Sequence, residues 1–138
     1  MTQFQLWKDK EKGLVDPKLY SEIAEKMAEK IAADHHRDKK KNKRSQLRKF
    51  YDEVVRLESL TPKEASNGDD TDWGHLLPTV HLLTAKAAYA NGRGLISNNF
   101  LSFIRTGIEQ IEGPRDLTAF KQFFEAFMGF YRLHGPNS

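Results

Sequence analysis

Apolar residues recur at three- and four-residue intervals through five stretches of the chain, the spacing of helices that each bury one face. The first stretch opens at Asp16-Pro17, an N-cap followed by the residue whose missing N–H costs nothing at a first helical position, and runs to about Asp34. Its stripe is Tyr20, Ile23, Ala24, Met27, Ala28 and Ile31. The second, with Ser45 as cap, reaches about Leu60 on Leu47, Phe50, Tyr51, Val54 and Leu57, with Arg48–Asp52, Lys49–Glu53 and Asp52–Arg56 spaced as surface pairs. Thr61 to Asp72 is polar and turn-rich, a loop. The third stretch spans about His75 to Asn91, and Pro78 confines the helix start to its vicinity, where N–H groups lack partners anyway. The fourth is capped by Ser97 or Asn98 and stops at Gly113-Pro114; the fifth has Asp116 near its start and Gly135-Pro136 after its end. No stretch alternates with period two long enough to form a strand. The pattern predicts an all-α, single-domain bundle of about five helices over residues 17–138, with residues 1–16 as an N-terminal extension and a flexible basic segment between the first two helices.

The fifth stretch carries Leu117, Phe120, Phe123, Phe124, Phe127, Met128, Phe130, Tyr131 and Leu133, more apolar surface than one face holds. It is either the central helix or in part a contact surface for another subunit.

Composition adds exclusions. With no cysteine there is no disulfide framework, thiolate zinc site or cysteine nucleophile. No apolar run approaches the length of a membrane helix, and the first residues lack a signal-peptide core, so a cytoplasmic protein is expected. Charge changes the picture more. Arg37, Lys39, Lys40, Lys41, Lys43, Arg44, Arg48 and Lys49 crowd together with only Asp38 opposing them, which leaves the rest of the chain acidic on balance despite a net charge of +3. Such a run is either a solvated linker or a footprint for phosphates.

Candidate chemistry is sparse. Asp34-His35-His36 matches by letters the name-giving motif of a metal phosphoesterase family, whose α/β fold and further aspartate motifs have no counterpart in this chain. His75 and His81 are off the spacing that places two imidazoles on one helix face, and His134 suits a helix C-terminus without any further role. Asn91 to Gly94 is a turn rather than a phosphate loop. With no nucleophile–base grouping, neither an enzyme nor a cofactor is expected. Lys86, Tyr89 and Arg93, with Leu82 one turn earlier, form a stripe of two cations bracketing an aromatic; it suits phosphates and base stacking, or else Tyr89 is core and the cations snorkel at its edge.

Three stretches taken together, "SQLRKFYDEVVRL" at Ser45–Leu57, "LLTAKAAYANGR" at Leu82–Arg93 and "FFEAFMGFYR" at Phe123–Arg132, resemble the small subunit of the type III-A CRISPR interference complex, the Csm complex. The resemblance covers about two-thirds of the chain. Phe130 stands where the family pattern takes a tyrosine, and Met1 to Asp34 carries no motif of the family. The resemblance implies a non-catalytic helical protein present in several copies, stacked as a filament beside the backbone subunits that hold the guide RNA. It would line the groove in which target RNA pairs with the guide, touching the target strand through its phosphates. The matching cations are Arg48, Lys49, Lys86 and Arg93, with Lys41, Lys43 and Arg44 added from the basic run; the partners implied are guide and target RNA, other subunits of the complex and copies of the chain itself. The run from Arg37 then reads as a solvated connection through about Arg44, followed by a helix start that presents Arg48 and Lys49 to nucleic acid. The alternative is a free-standing helical module that binds DNA or an acidic protein partner.

Overall fold

The computed structural model describes residues 3–61 and 71–137. Among these the chain forms α1 (Ala24–Arg37), α2 (Arg44–Ser59), α3 (Thr71–Gly92), α4 (Asn98–Glu109) and α5 (Pro114–His134), with a π-helical turn, Leu19–Ile23, leading into α1. Most of the expected loop from Thr61 to Asp72 lies outside the described residues.

The helices follow the apolar spacing, and their ends follow local chemistry. Ser97 caps α4, its Oγ accepting from the Phe100 N–H at 3.2 Å. The Gly113-Pro114 pair, expected to stop the fourth helix, starts the fifth: α4 ends at Glu109, and Pro114 takes the first position of α5. Helix α3 begins earlier than expected, so Pro78 lies inside it; its missing N–H would have met the Gly74 carbonyl, which is on an exposed residue and open to water.

Helix α5 is the central element, packed against α1 and α2 while α3 packs on α4. Its Phe120, Phe123, Phe124, Phe127 and Tyr131 are fully buried with Phe100 and Phe103 of α4. Phe103 is the hub, with ring centroids 4.8 Å from Phe127, 5.0 Å from Phe124 and 5.6 Å from Phe4. A buried phenylalanine contributes about 2–3 kcal/mol by its area, and well-placed ring pairs add about 0.5–1.5 kcal/mol. Gly107 lets α4 approach, since a Cβ there would lie 2.2 Å from the Phe120 ring. The excess apolar surface of the fifth stretch is therefore mostly core, and only Leu133, 71% exposed, is left outside.

Residues 3–16 join this core. The Phe4 ring lies tilted 4.5 Å from that of Phe123, Leu6 is fully buried, and the Gln110 side chain holds both, accepting from the Leu6 N–H (2.8 Å) and donating to the Phe4 carbonyl (2.9 Å). The Trp7 indole donates to Asp116 Oδ1 at 2.7 Å, and a tight turn pairs Asp9 with Leu14, using Gly13 at φ +68°. Asp116 also caps α5, accepting from the N–H groups of Glu112 and Gly113. Burial opposes its charge, but those two bonds, the indole and the nearby Lys10 outweigh it and hold the carboxyl below its ordinary range.

The basic connection between α1 and α2, expected to be flexible, is instead tied down at Asn42. This residue is fully buried and sits at φ 60°, the left-handed region that asparagine tolerates better than most residues. Its N–H donates to the Leu95 carbonyl (3.0 Å), and its Nδ2 to the Ile31 carbonyl (3.2 Å) and Ser97 Oγ (2.8 Å). Its Oδ1 accepts from the Ser97 N–H (2.9 Å), and its carbonyl from the Tyr131 hydroxyl (2.6 Å). The charged residues around Asn42 stay exposed or half-buried, so they are solvated as expected while the backbone beneath them is fixed.

Asn42→Ala leaves the buried Ser97 N–H unpaired and strains the backbone, and should destabilise the fold by about 2–4 kcal/mol in denaturant unfolding; Asn42→Gly, which relieves only the strain, should recover about 1 kcal/mol of that. The lowered Asp116 carboxyl stabilises the fold at neutral pH, and this is lost as pH falls through its depressed folded value. Asp116→Asn should therefore be less stable at neutral pH and show a flatter acid limb in melts taken across pH.

Candidate nucleic-acid interface

The packing of α2 on α3 leaves a notch of about 310 Å³. Its floor is apolar and buried, made of Phe50, Leu83 and Ala90, its rim carries Gln46, Lys49 and Lys86, and Glu53, only 23% exposed, lies deeper between them. Gln46, Lys49 and Glu53 line up along α2 at helical spacing, whereas Lys86 comes from the opposite wall. Of the surface pairs expected on α2, Arg48–Asp52 forms loosely at 3.9 Å. Arg56 turns instead to Glu53, donating from Nε and Nη2 to its two oxygens at 2.8 Å each, with Lys86 Nζ 3.7 Å away. The hydrogen bonds from Arg56, aided by the Arg56 and Lys86 charges, hold the Glu53 carboxyl below its usual range. Lys49 is left without an ion pair among the described residues.

The outer face of α3 presents Leu82, Lys86, Tyr89 and Arg93 to solvent. Tyr89 is 69% exposed, which removes the reading of it as core, and the Arg93 guanidinium lies 5.8 Å over its ring. The turn after α3 is held by Asn91, whose amide donates to the Ile96 carbonyl (3.1 Å) and Asn98 Oδ1 (3.0 Å), and by Gly94 at φ +75°.

Asn42 joins the two parts. Because its backbone bonds to Leu95, the turn carrying Lys41 and Lys43 is fastened beside the end of α3 that carries Arg93. Lys43 is exposed; Lys41 is half-buried, and its carbonyl accepts from His35 Nδ1 at 2.8 Å, which places the proton on that nitrogen. The structure thus gathers Lys49 and Lys86 across the notch, with Arg93 on the same α3 face and Lys41 and Lys43 at its end. Arg44 and Arg48 are differently placed: the Arg44 guanidinium donates to the Asn137 carbonyl at 2.6 Å, and Arg48 faces Asp52 outside the notch. Glu53 and Gln46 were missed from sequence. Their spacing along α2 was readable, but the wall they face belongs to a helix separated from theirs by a long connection.

The histidines have structural surroundings. Asp34 is buried, paired with Arg37 and accepting from Asn99 Nδ2 at 2.9 Å. His36 Nε2 lies 3.4 Å from the His134 carbonyl, and His134 Nε2 lies 2.7 Å from Glu25 Oε2, which ties α5 to α1. His75 and His81 are exposed on α3. No group of three or more His, Cys, Asp or Glu side chains suited to a metal ion occurs among the described residues, and no helix among them is long and apolar enough to cross a membrane.

Residues 18–137 match the model of the Csm2 Type III-A family. No curated protein and no solved structure matches the chain.

Since Lys86, Tyr89 and Arg93 are exposed and hold nothing in the core together, alanine at any of them should shift unfolding by less than about 0.5 kcal/mol. Tyr131→Phe, which removes the donor to the Asn42 carbonyl, should cost about 1–2 kcal/mol. Chemical denaturation of the four variants side by side checks both.

Proposed function

The chain belongs to the Csm2 Type III-A family, the small subunits of the type III-A CRISPR Csm complex, and from this premise we propose that it is a non-catalytic subunit that stacks in copies and contacts target RNA through phosphates without reading sequence. Its partners are the other subunits of the complex, further copies of itself and the paired guide and target RNA. The RNA-facing surface is the α2–α3 face: Lys49, Lys86 and Arg93, extended by Lys41 and Lys43. Arg44 contributes less because its guanidinium is bonded to the Asn137 carbonyl, and Arg48 less because it lies outside the notch.

The observation that carries this reading is the uncovered stripe on α3. Two cations bracket a largely exposed aromatic ring, with the Arg93 guanidinium over it, and the Asn42 turn sets further lysines beside it. A surface of this kind suits a partner whose sequence is already read by base pairing, for which the protein need supply only charge and shape.

Fluorescence anisotropy of the purified chain with single-stranded RNAs of unrelated sequence tests it. All should bind alike, with log affinity falling linearly with log salt, and Lys86→Ala or Arg93→Ala should each lower the slope by about one unit. Salt-insensitive binding overturns the proposal, and a preference for duplex DNA replaces it with the free-standing DNA-binding module.

A further inference from the structure

Within the RNA-contact reading, on which this inference rests, we propose that the notch between α2 and α3 takes up one unstacked nucleobase, its face on Phe50, Leu83 and Ala90 and its amino edge on Glu53, while Lys49 and Lys86 meet the flanking phosphates.

The notch is built for two different chemistries at two depths. Its rim is cationic through Lys49 and Lys86, which suits phosphate. Its interior is not, because a Glu53 carboxylate three-quarters buried would repel a phosphate placed beside it. An anion is therefore confined to the rim, and what enters must be uncharged, flat enough to lie on an apolar floor and able to donate a hydrogen bond. A nucleobase meets all three conditions and arrives between two phosphates. The volume of about 310 Å³ is at the lower end for ligand pockets and has room for a base.

Each wall is already fixed before anything binds. The Phe50 ring packs edge-on against Phe100 at 5.7 Å, so the floor is anchored to the aromatic core. Both Glu53 oxygens are oriented by Arg56, and each keeps a lone pair for a further donor. The carboxylate accepts only, which gives the notch a preference. Adenine, cytosine and guanine offer exocyclic amines; uracil offers a single ring N–H flanked by two carbonyl oxygens that the carboxylate repels. The stripe on α3 stays indifferent to sequence, and the notch adds a bias against uracil.

The test compares binding of the full chain to single-stranded oligo(C), oligo(U) and an abasic oligomer of equal length. Oligo(C) should bind about fivefold or more tighter than the other two. Ala90→Leu, which fills the notch from its floor, should abolish the difference while leaving abasic binding and its salt dependence unchanged. Glu53→Gln, a second variant that leaves the floor intact, should narrow the gap between C and U. Equal binding of all three oligomers with a steep salt slope overturns the notch and leaves the phosphate reading standing, as does Ala90→Leu that folds and still discriminates. Absence of binding to any of them overturns both.

Discussion

A fully buried asparagine in a left-handed backbone conformation persists only where its polar groups are satisfied, and Asn42 satisfies them with five hydrogen bonds to α1, α5 and the α3–α4 connection. Everything that matters for the charged surface depends on that joint. It sets where α2 starts, hence which way Lys49 projects, and it fastens the turn after α3 that positions Arg93. The Tyr131 hydroxyl closes the network from the central helix, and burial, with the Asp34 charge as a lesser cause, pushes its titration well above the ordinary tyrosine range, so it stays a donor at any physiological pH. The basic run can remain hydrated because the neutral residue in its midst carries the structural role.

How much of this a reader of the sequence could have found depends on the range of the interactions. Helices are legible because their signal repeats every three or four residues, and the cap at Ser97 and the stop after His134 are local chemistry. Asn42 sits in a lysine run, and its partners are at positions 31, 95, 97 and 131, so nothing near it marks it as core. Gly113-Pro114 shows a subtler failure. The pair punctuates a boundary, but the same two residues end one helix or begin the next, and Asp116 folding back on Gly113 decides for the second.

The charged surface divides along the same line. The stripe of Lys86 and Tyr89 on α3 and Arg93 just past its end follows one helical spacing, and periodicity alone put its members together; only burial could say that Tyr89 faces out. Arg48 looked equivalent to Lys49, and Arg44 part of the basic run before them, because charge counts do not reveal partners; Asp52 and Asn137 engage them. The notch is legible in neither helix, since Lys49 and Glu53 gain their meaning from Leu83, Lys86 and Ala90 across a connection that sequence reading treats as a break.

The segment from residue 3 to residue 16 lies outside the stretch that matches the family, yet Phe4 and Leu6 rest on α4, α5 and Gln110, more than 100 residues further along for Gln110. During synthesis these side chains leave the ribosome well before the surface they cover is made. The aromatic core therefore closes by joining early chain to late chain, a non-local step with a large loop to close. Until then Phe4, Leu6 and Trp7 have no native partner, and the rings of α4 and α5 lack their cover, which leaves apolar surface exposed in the growing chain.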